Sequence, residues 1–152
     1  MNVRGTFLCT QTCLPYLKRA GGAHVLIMAP PLNLTPRWFA PHLAYSIAKY
    51  GMSLCVLGMA EEFRADGIAV NALWPRTVIL TAALAMLPGV DPDRCRKPEI
   101  MADAAHAVLT TPSRDRTGRF LIDEEVLREV AVTDFERYAV KPGMPLLPDL
   151  FL

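Results

Sequence analysis

The sequence has no uninterrupted apolar run approaching the roughly 20 residues needed to cross a bilayer, so no membrane span is expected. Nor does one charge dominate. The net charge is +1 over 152 residues and no basic run occurs, which leaves no electrostatic argument for nucleic acid or an acidic membrane surface as partner. The four cysteines, Cys9, Cys13, Cys55 and Cys95, include no Cys-x-x-Cys and do not group with His24, His42 or His106. They read as reduced, core-type thiols, so neither a metal centre nor a disulfide frame is expected. The first residues, MNVRGTFLCTQTCLPYLKR, lack the charged start, apolar block and small-residue cleavage site of a secretory leader, and a cytoplasmic protein is expected. A Gly-x-Gly-x-x-Gly turn is also missing. Gly21-Gly22 falls after a helical pattern and before a strand, the wrong side for cradling phosphates.

What is present is an apolar chain, 52% hydrophobic and 20% charged, a balance that suits strands buried on both faces or helices buried against a partner. Phe7 to Lys18 carries helical periodicity and stops at Gly21-Gly22. HVLIMA, 24–29, is a short buried strand ended by Pro30-Pro31, and IAVNALW, 68–74, is a second one closed by Pro75. Between them, Leu43 to Arg64 reads as one long helix. Val78 to Met86 is expected to form a short helix and Ile100 to Leu109 another, with a third strand at 118–123. Helices alternating with strands predict an α/β fold with a parallel sheet joined by right-handed crossovers. The tail from Val140 holds Pro142, Pro145 and Pro148 and is expected to be extended or mobile. One domain over 1–139 and a tail over 140–152 follow from this pattern.

The chemistry centres on the long helix. Tyr45 and Lys49 are four residues apart, which puts both side chains on one helix face, about 5–6 Å apart at Cβ. A free phenol titrates near 10, so proton transfer at neutral pH requires a fall of roughly three units, and a fixed neighbouring cation pushes in that direction. Lys49 supplies the cation and Tyr45 is the candidate acid or base. Taken alone the pair is better read as an amphipathic tyrosine beside a solvated lysine on a surface turn.

Context decides between these. Asn2-x-x-Gly5-x-Phe7 opening a helix, an apolar strand ending at a loop, Ala44-Tyr45-Ser46-Ile47-Ala48-Lys49 on the next helix, and Ile68 to Pro75 as the following strand together resemble the short-chain dehydrogenase/reductase family. The run NALWPRT, the Pro30 to Leu34 loop and the ending KPGMPLLPDLFL are similar to its hydroxysteroid dehydrogenase-like branch, whose members are longer at the N-terminus. The resemblance implies the C-terminal half of a Rossmann-like doubly wound sheet, three strands flanked by helices, without the Gly-rich first half. It implies an NAD(P)-dependent oxidoreductase acting on a small hydrophobic carbonyl or alcohol, with NAD or NADP bound weakly or not at all.

Residue by residue, the resemblance makes Tyr45 the proton donor and acceptor, Lys49 the ligand of the nicotinamide ribose, and Asn2 the holder of a relay water. Pro75, Thr77 and Val78 line the nicotinamide. Two positions depart from the family. Ala29 or Pro30 stands where a catalytic serine is expected, with Thr35 the nearest hydroxyl, and Arg76 follows Pro75 where glycine is usual. Losing one such donor costs about a hundredfold to a thousandfold in rate in other enzymes. The competing expectation is a catalytically silent module, or a gene fragment, that self-associates through helices 3–18 and 43–64, using Leu54, Leu57, Met59 and Phe63.

Overall fold

A computed structural model describes residues 2–84, 89–114 and 116–152. The chain divides into two compact units: Met1–Trp74 with Leu109–Leu121 and Phe151, and Pro75–Val108 with Ile122–Leu150 and Leu152.

The first unit carries the sheet, except that the last residue of the third strand, Ile122, is counted with the second. Strands β1 (His24–Ile27), β2 (Ala69–Trp74) and β3 (Phe120–Ile122) lie in the order β1-β2-β3 and run parallel. β1 pairs with β2 in the register His24 to Ala69 through Ile27 to Ala72. As the middle strand, β2 is buried along its whole length, whereas β1 is only half-buried up to Ile27, because its outer edge has no neighbour among the described residues. Helix α1 (Asn2–Ala20) starts earlier than the periodicity predicts and continues through Pro15, which has no N–H to give the preceding turn. Helix α2 (Leu43–Glu62) packs on β2, and a 3₁₀ turn, Arg64–Asp66, closes at Gly67, whose φ of 68° suits glycine. Val56 and Met59 of α2 and Phe63 just past its end meet Ile27, Ile68 and Val70 in the core, with Leu14 and Leu17 of α1 against them.

Asn71 in the middle of β2 has its own role. Its side-chain oxygen accepts from the Arg119 N–H at 3.0 Å and its amide donates to the Arg116 carbonyl at 2.9 Å. With Thr117 Oγ1 accepting from the Val70 N–H, these bonds fix the approach to β3, so a buried amide sets where the third strand begins.

In the second unit, helices α3 (Glu99–Leu109, its last residue counted with the first unit) and α4 (Asp123–Glu129) are joined by extended segments. The expected helix from Val78 to Met86 is not found where the chain is described. Val78 N–H donates to Leu147 O, Leu80 N–H donates to Arg96 O, and Ile79 bridges Arg96, so this stretch is extended. Its apolar residues serve bridges to the tail and to Arg96 in place of a helical face, while Met86 and Leu87 lie outside the described residues. The proline-rich tail is extended and anchored, with Pro148 bridging Thr77 and the Asp149 N–H bonded to the Arg76 carbonyl at 3.1 Å.

A further expectation needs correction. Cys9 and Cys13 are exposed on α1 rather than core-type, because the face of α1 turned to the core carries Leu14 and Leu17; Cys55 is half-buried and Cys95 buried. Among the described residues one helix, α2, is long and apolar enough to cross a membrane by length and composition. Of that stretch 33% is buried, and on the buried face Ser46 and Ser53 donate to the carbonyls of Trp38 and Pro30, both at 2.7 Å.

Candidate functional site

In the first unit, α2 presents Tyr45 and Lys49 one turn apart, as their spacing requires. Lys49 Nζ lies 5.9 Å from the centroid of the Tyr45 ring and 5.1 Å from that of Trp74 at the end of β2. It also donates to the Met28 carbonyl at 3.1 Å, just beyond β1. An ammonium anchored to the strand end, next to a phenol that remains 42% exposed, is a fixed cation beside an accessible acid.

The strand end offers no hydroxyl. Ala29 is fully buried in a turn whose N–H returns to Ile27 O at 2.9 Å, and Pro30 follows. Thr35 is exposed and its hydroxyl donates to Asn33 Oδ1 at 2.7 Å, so it is engaged in a local turn. Asn2 sits exposed on the first turn of α1. Its neighbour Val3 meets α2 at Gly51, two residues beyond Lys49.

Around Tyr45 stands an aromatic group that sequence reasoning missed. Phe151, 1% exposed, has its ring 6.2 Å from that of Tyr45 at an interplanar angle of 12°, and 5.1 to 6.0 Å from those of Tyr50, Trp38 and Trp74. Tyr50 donates its hydroxyl to the Asn33 carbonyl at 2.5 Å, and burial pushes its phenol up from 10.0, so it stays protonated. The only advance signal was the number of aromatics in the loop, helix and tail, with nothing in their spacing to show that they converge.

The second unit holds Pro75, Thr77 and Val78. Thr77 is 8% exposed and its buried Oγ1 has no hydrogen-bond partner among the described residues. The segment is held from α4: the Arg76 N–H donates to Asp123 Oδ1 at 2.9 Å, and the Arg76 guanidinium pairs with Glu125 and lies 3.6 Å from Glu124. Asp123 is fully buried, and burial raises its carboxyl above 3.8 against the lowering effect of the Arg76 and Glu124 N–H bonds. Arg76, in the position where glycine is usual, is therefore tied down by acids of α4. Among the described residues no group of three His, Cys, Asp or Glu could hold a metal ion.

These features define a class. The short chain dehydrogenase family model matches residues 1–87, and the chain belongs to that family. It is 58% identical over 153 residues to hydroxysteroid dehydrogenase-like protein 2 of Xenopus laevis, all of this chain against 36% of that protein. The chain thus spans about a third of the curated relatives it matches. Among solved structures it is similar to a protein from Xanthomonas campestris, 58% identical with a TM-score of 0.95, over 99% of this chain and 56% of that one. A short chain dehydrogenase from Mycobacterium thermoresistibile follows at 48% identity and a TM-score of 0.90, over 99% of this chain and 54% of that one. The fold is accordingly the C-terminal part of a Rossmann-like doubly wound sheet, and more distant members of the same fold were solved with NADP or NADH.

Proposed function

We propose that this chain carries the proton-transfer half of a nicotinamide-dependent oxidoreductase that interconverts a carbonyl and an alcohol. The observation that carries the reading is the Lys49 ammonium held between the Tyr45 and Trp74 rings by the Met28 carbonyl. Tyr45 gives its hydroxyl proton to the carbonyl oxygen during reduction and takes it back during oxidation. Lys49 favours the phenolate and offers donors to a ribose. A bound nicotinamide supplies or accepts the hydride.

The buried Thr77 hydroxyl, which has no hydrogen-bond partner among the described residues, suits a carboxamide, and Pro75 and Val78 flank it in sequence. NAD and NADP are equally compatible with these residues, since the Gly-rich turn and the acidic or basic residue that follows it to read the adenine ribose are not among the 152. Affinity for the chain alone is therefore weak, and with Ala29 and Pro30 at the strand end its turnover is reduced. Relatives named for hydroxysteroid chemistry and the apolar surroundings of Tyr45 support a hydrophobic carbonyl or alcohol as substrate.

A second reading, a silent self-associating module, draws on the exposed apolar residues of two helices. Leu54 is 60% and Leu57 43% exposed, joined by Ile47 on α2 and by Phe7 and Leu8 on α1, whereas Met59 and Phe63 are committed to the core. One fluorescence titration separates the readings. Saturable NADH or NADPH binding that disappears in Lys49→Ala supports the oxidoreductase. No binding at millimolar cofactor removes it, and size-exclusion chromatography giving a monomer removes the self-associating module.

A further inference from the structure

Phe151 lies in a box whose walls are the rings of Trp38, Tyr45, Tyr50 and Trp74, with centroids 5.1 to 6.2 Å from its own. One wall is the proposed proton-transfer residue, nearly parallel to Phe151. Whatever ring occupies this place is face to face with Tyr45. Neither cavity of about 320 or 540 Å³ on this unit is lined by Tyr45; they open beside Arg64 and Arg114, and beside His24 and Ser113. A substrate ring stacking on the face of this phenol that Phe151 covers needs a place that a side chain now fills.

Phe151 is held there in an unusual way. Its φ is 73°, the left-handed region that a bulky side chain disfavours, and the bond from Asn33 Nδ2 to its carbonyl is long at 3.4 Å. Packing of the ring, against the preference of its own backbone, keeps it in place. A ligand that reproduces the ring's packing would let that backbone relax. The Lys49 ammonium over the Trp74 and Tyr45 rings adds a sign to the box: it favours a ligand carrying a partly negative oxygen and disfavours a cationic one.

We propose that this box is the ring subsite for a cyclic, apolar ketone or its alcohol, and that Phe151 is its displaceable internal occupant. The inference rests on Tyr45 as the proton-transfer group and deepens it by naming the substrate's shape. An occupant that must leave lowers apparent affinity by the fraction of time the box is open, so a smaller side chain at 151 should tighten binding.

The chain contains two tryptophans, Trp38 and Trp74, and both are walls of the box, so their emission reads it directly. Wild type, Phe151→Ala and Phe151→Leu are titrated with cyclohexanone, with linear 2-hexanone and with methylcyclohexane, and near-UV circular dichroism checks the fold. Saturable change with cyclohexanone is expected in wild type, about tenfold tighter in Phe151→Ala and intermediate in Phe151→Leu, with 2-hexanone weaker throughout. Adding Tyr45→Phe to Phe151→Ala should weaken the ketone about tenfold and leave the hydrocarbon unchanged. If wild type gives no saturable response, Phe151 is a fixed core residue and the proposal fails. It fails equally if ketone and hydrocarbon bind the alanine variant alike with no effect of Tyr45→Phe, since that is only a hole made by substitution. Should Phe151→Ala unfold, wild type, Phe151→Leu and its Tyr45→Phe double variant decide in the same terms. No cofactor or turnover enters the readout. Ketone binding without NADH binding would keep this inference and remove the oxidoreductase reading, and NADH binding with no ketone response would do the reverse.

Discussion

The Lys49 ammonium lies 5.9 Å from the centre of the Tyr45 ring and donates a hydrogen bond to a backbone carbonyl, Met28 O, at 3.1 Å. That arrangement separates what Lys49 does for the fold from what it does for chemistry. A half-exposed bond of this kind contributes about 1 kcal/mol, so Lys49→Met should lower unfolding free energy by no more than that in a urea melt. Cofactor binding should fall at least about tenfold in the same variant, because its ribose donors are gone. A large stability loss would make Lys49 a structural residue.

Asp123 gives a pH prediction. Its carboxyl accepts from the Arg76 and Glu124 N–H groups at 2.9 and 2.7 Å, yet burial raises it above its ordinary value of 3.8. For an acid raised on folding, the native state holds the proton longer than the unfolded chain, so this group's contribution is fully favourable below 3.8 and is lost as pH rises through the raised folded value. Asp123→Asn keeps an acceptor oxygen and removes the buried charge. The difference in stability between wild type and Asp123→Asn should therefore shift toward the variant as pH rises above 3.8. Asp123→Ala leaves two N–H groups without their acceptor and should cost about 2–3 kcal/mol below pH 3.8, a loss that shrinks as pH rises because the variant also lacks the buried charge. Thermal melts at a series of pH values test both statements, and a pH-independent difference for the asparagine variant would refute the first.

The sequence made some of this legible and not the rest, for physical reasons. Tyr45 and Lys49 were readable because a helix converts a spacing of four into proximity. β2 was readable because a central strand is apolar on both faces, and its one amide, Asn71, stood out without revealing that it bonds residues 116 and 119. Phe151 was not readable, since a contact between residues 45 and 151 leaves no periodic trace in either segment. The stretch from Val78 looked helical because short apolar runs have no distinguishing period, and its extended form is set by bonds to residues 96 and 147.

Glu124 anchors a charge cluster that can be opened from either end. Its carboxylate pairs with Arg96, both side chains 7% exposed, and receives Arg128 Nη2 at 2.6 Å. Glu124→Ala strands the Arg96 guanidinium in a buried setting and should cost about 3–5 kcal/mol. Replacing both partners, as in Arg96→Met with Glu124→Leu, removes the stranded charge and should recover most of that loss. Chemical denaturation of the single and double variants measures the coupling, and additive losses would show that the pair is not a unit.

Gly51 marks a close approach of α1 to α2. A Cβ at this position would clash with the Val3 side chain, on the turn of α1 that also carries Asn2. Helix propensity alone predicts that Gly51→Ala stabilises α2 by about 1 kcal/mol. Overpacking against a stiff β-branched side chain costs about 1–3 kcal/mol, so the clash should win and the variant should be less stable by up to about 2 kcal/mol. Val3 is 40% exposed and near a helix end, so trimming it removes the obstruction at little cost of its own. Gly51→Ala with Val3→Ala should then be at least as stable as Val3→Ala alone, with the propensity gain now expressed. A double-mutant cycle by urea denaturation reads the sign directly. If Gly51→Ala is destabilising by the same amount with and without Val3, the close approach is not what requires glycine, and the packing of α1 on α2 next to Lys49 must be set elsewhere.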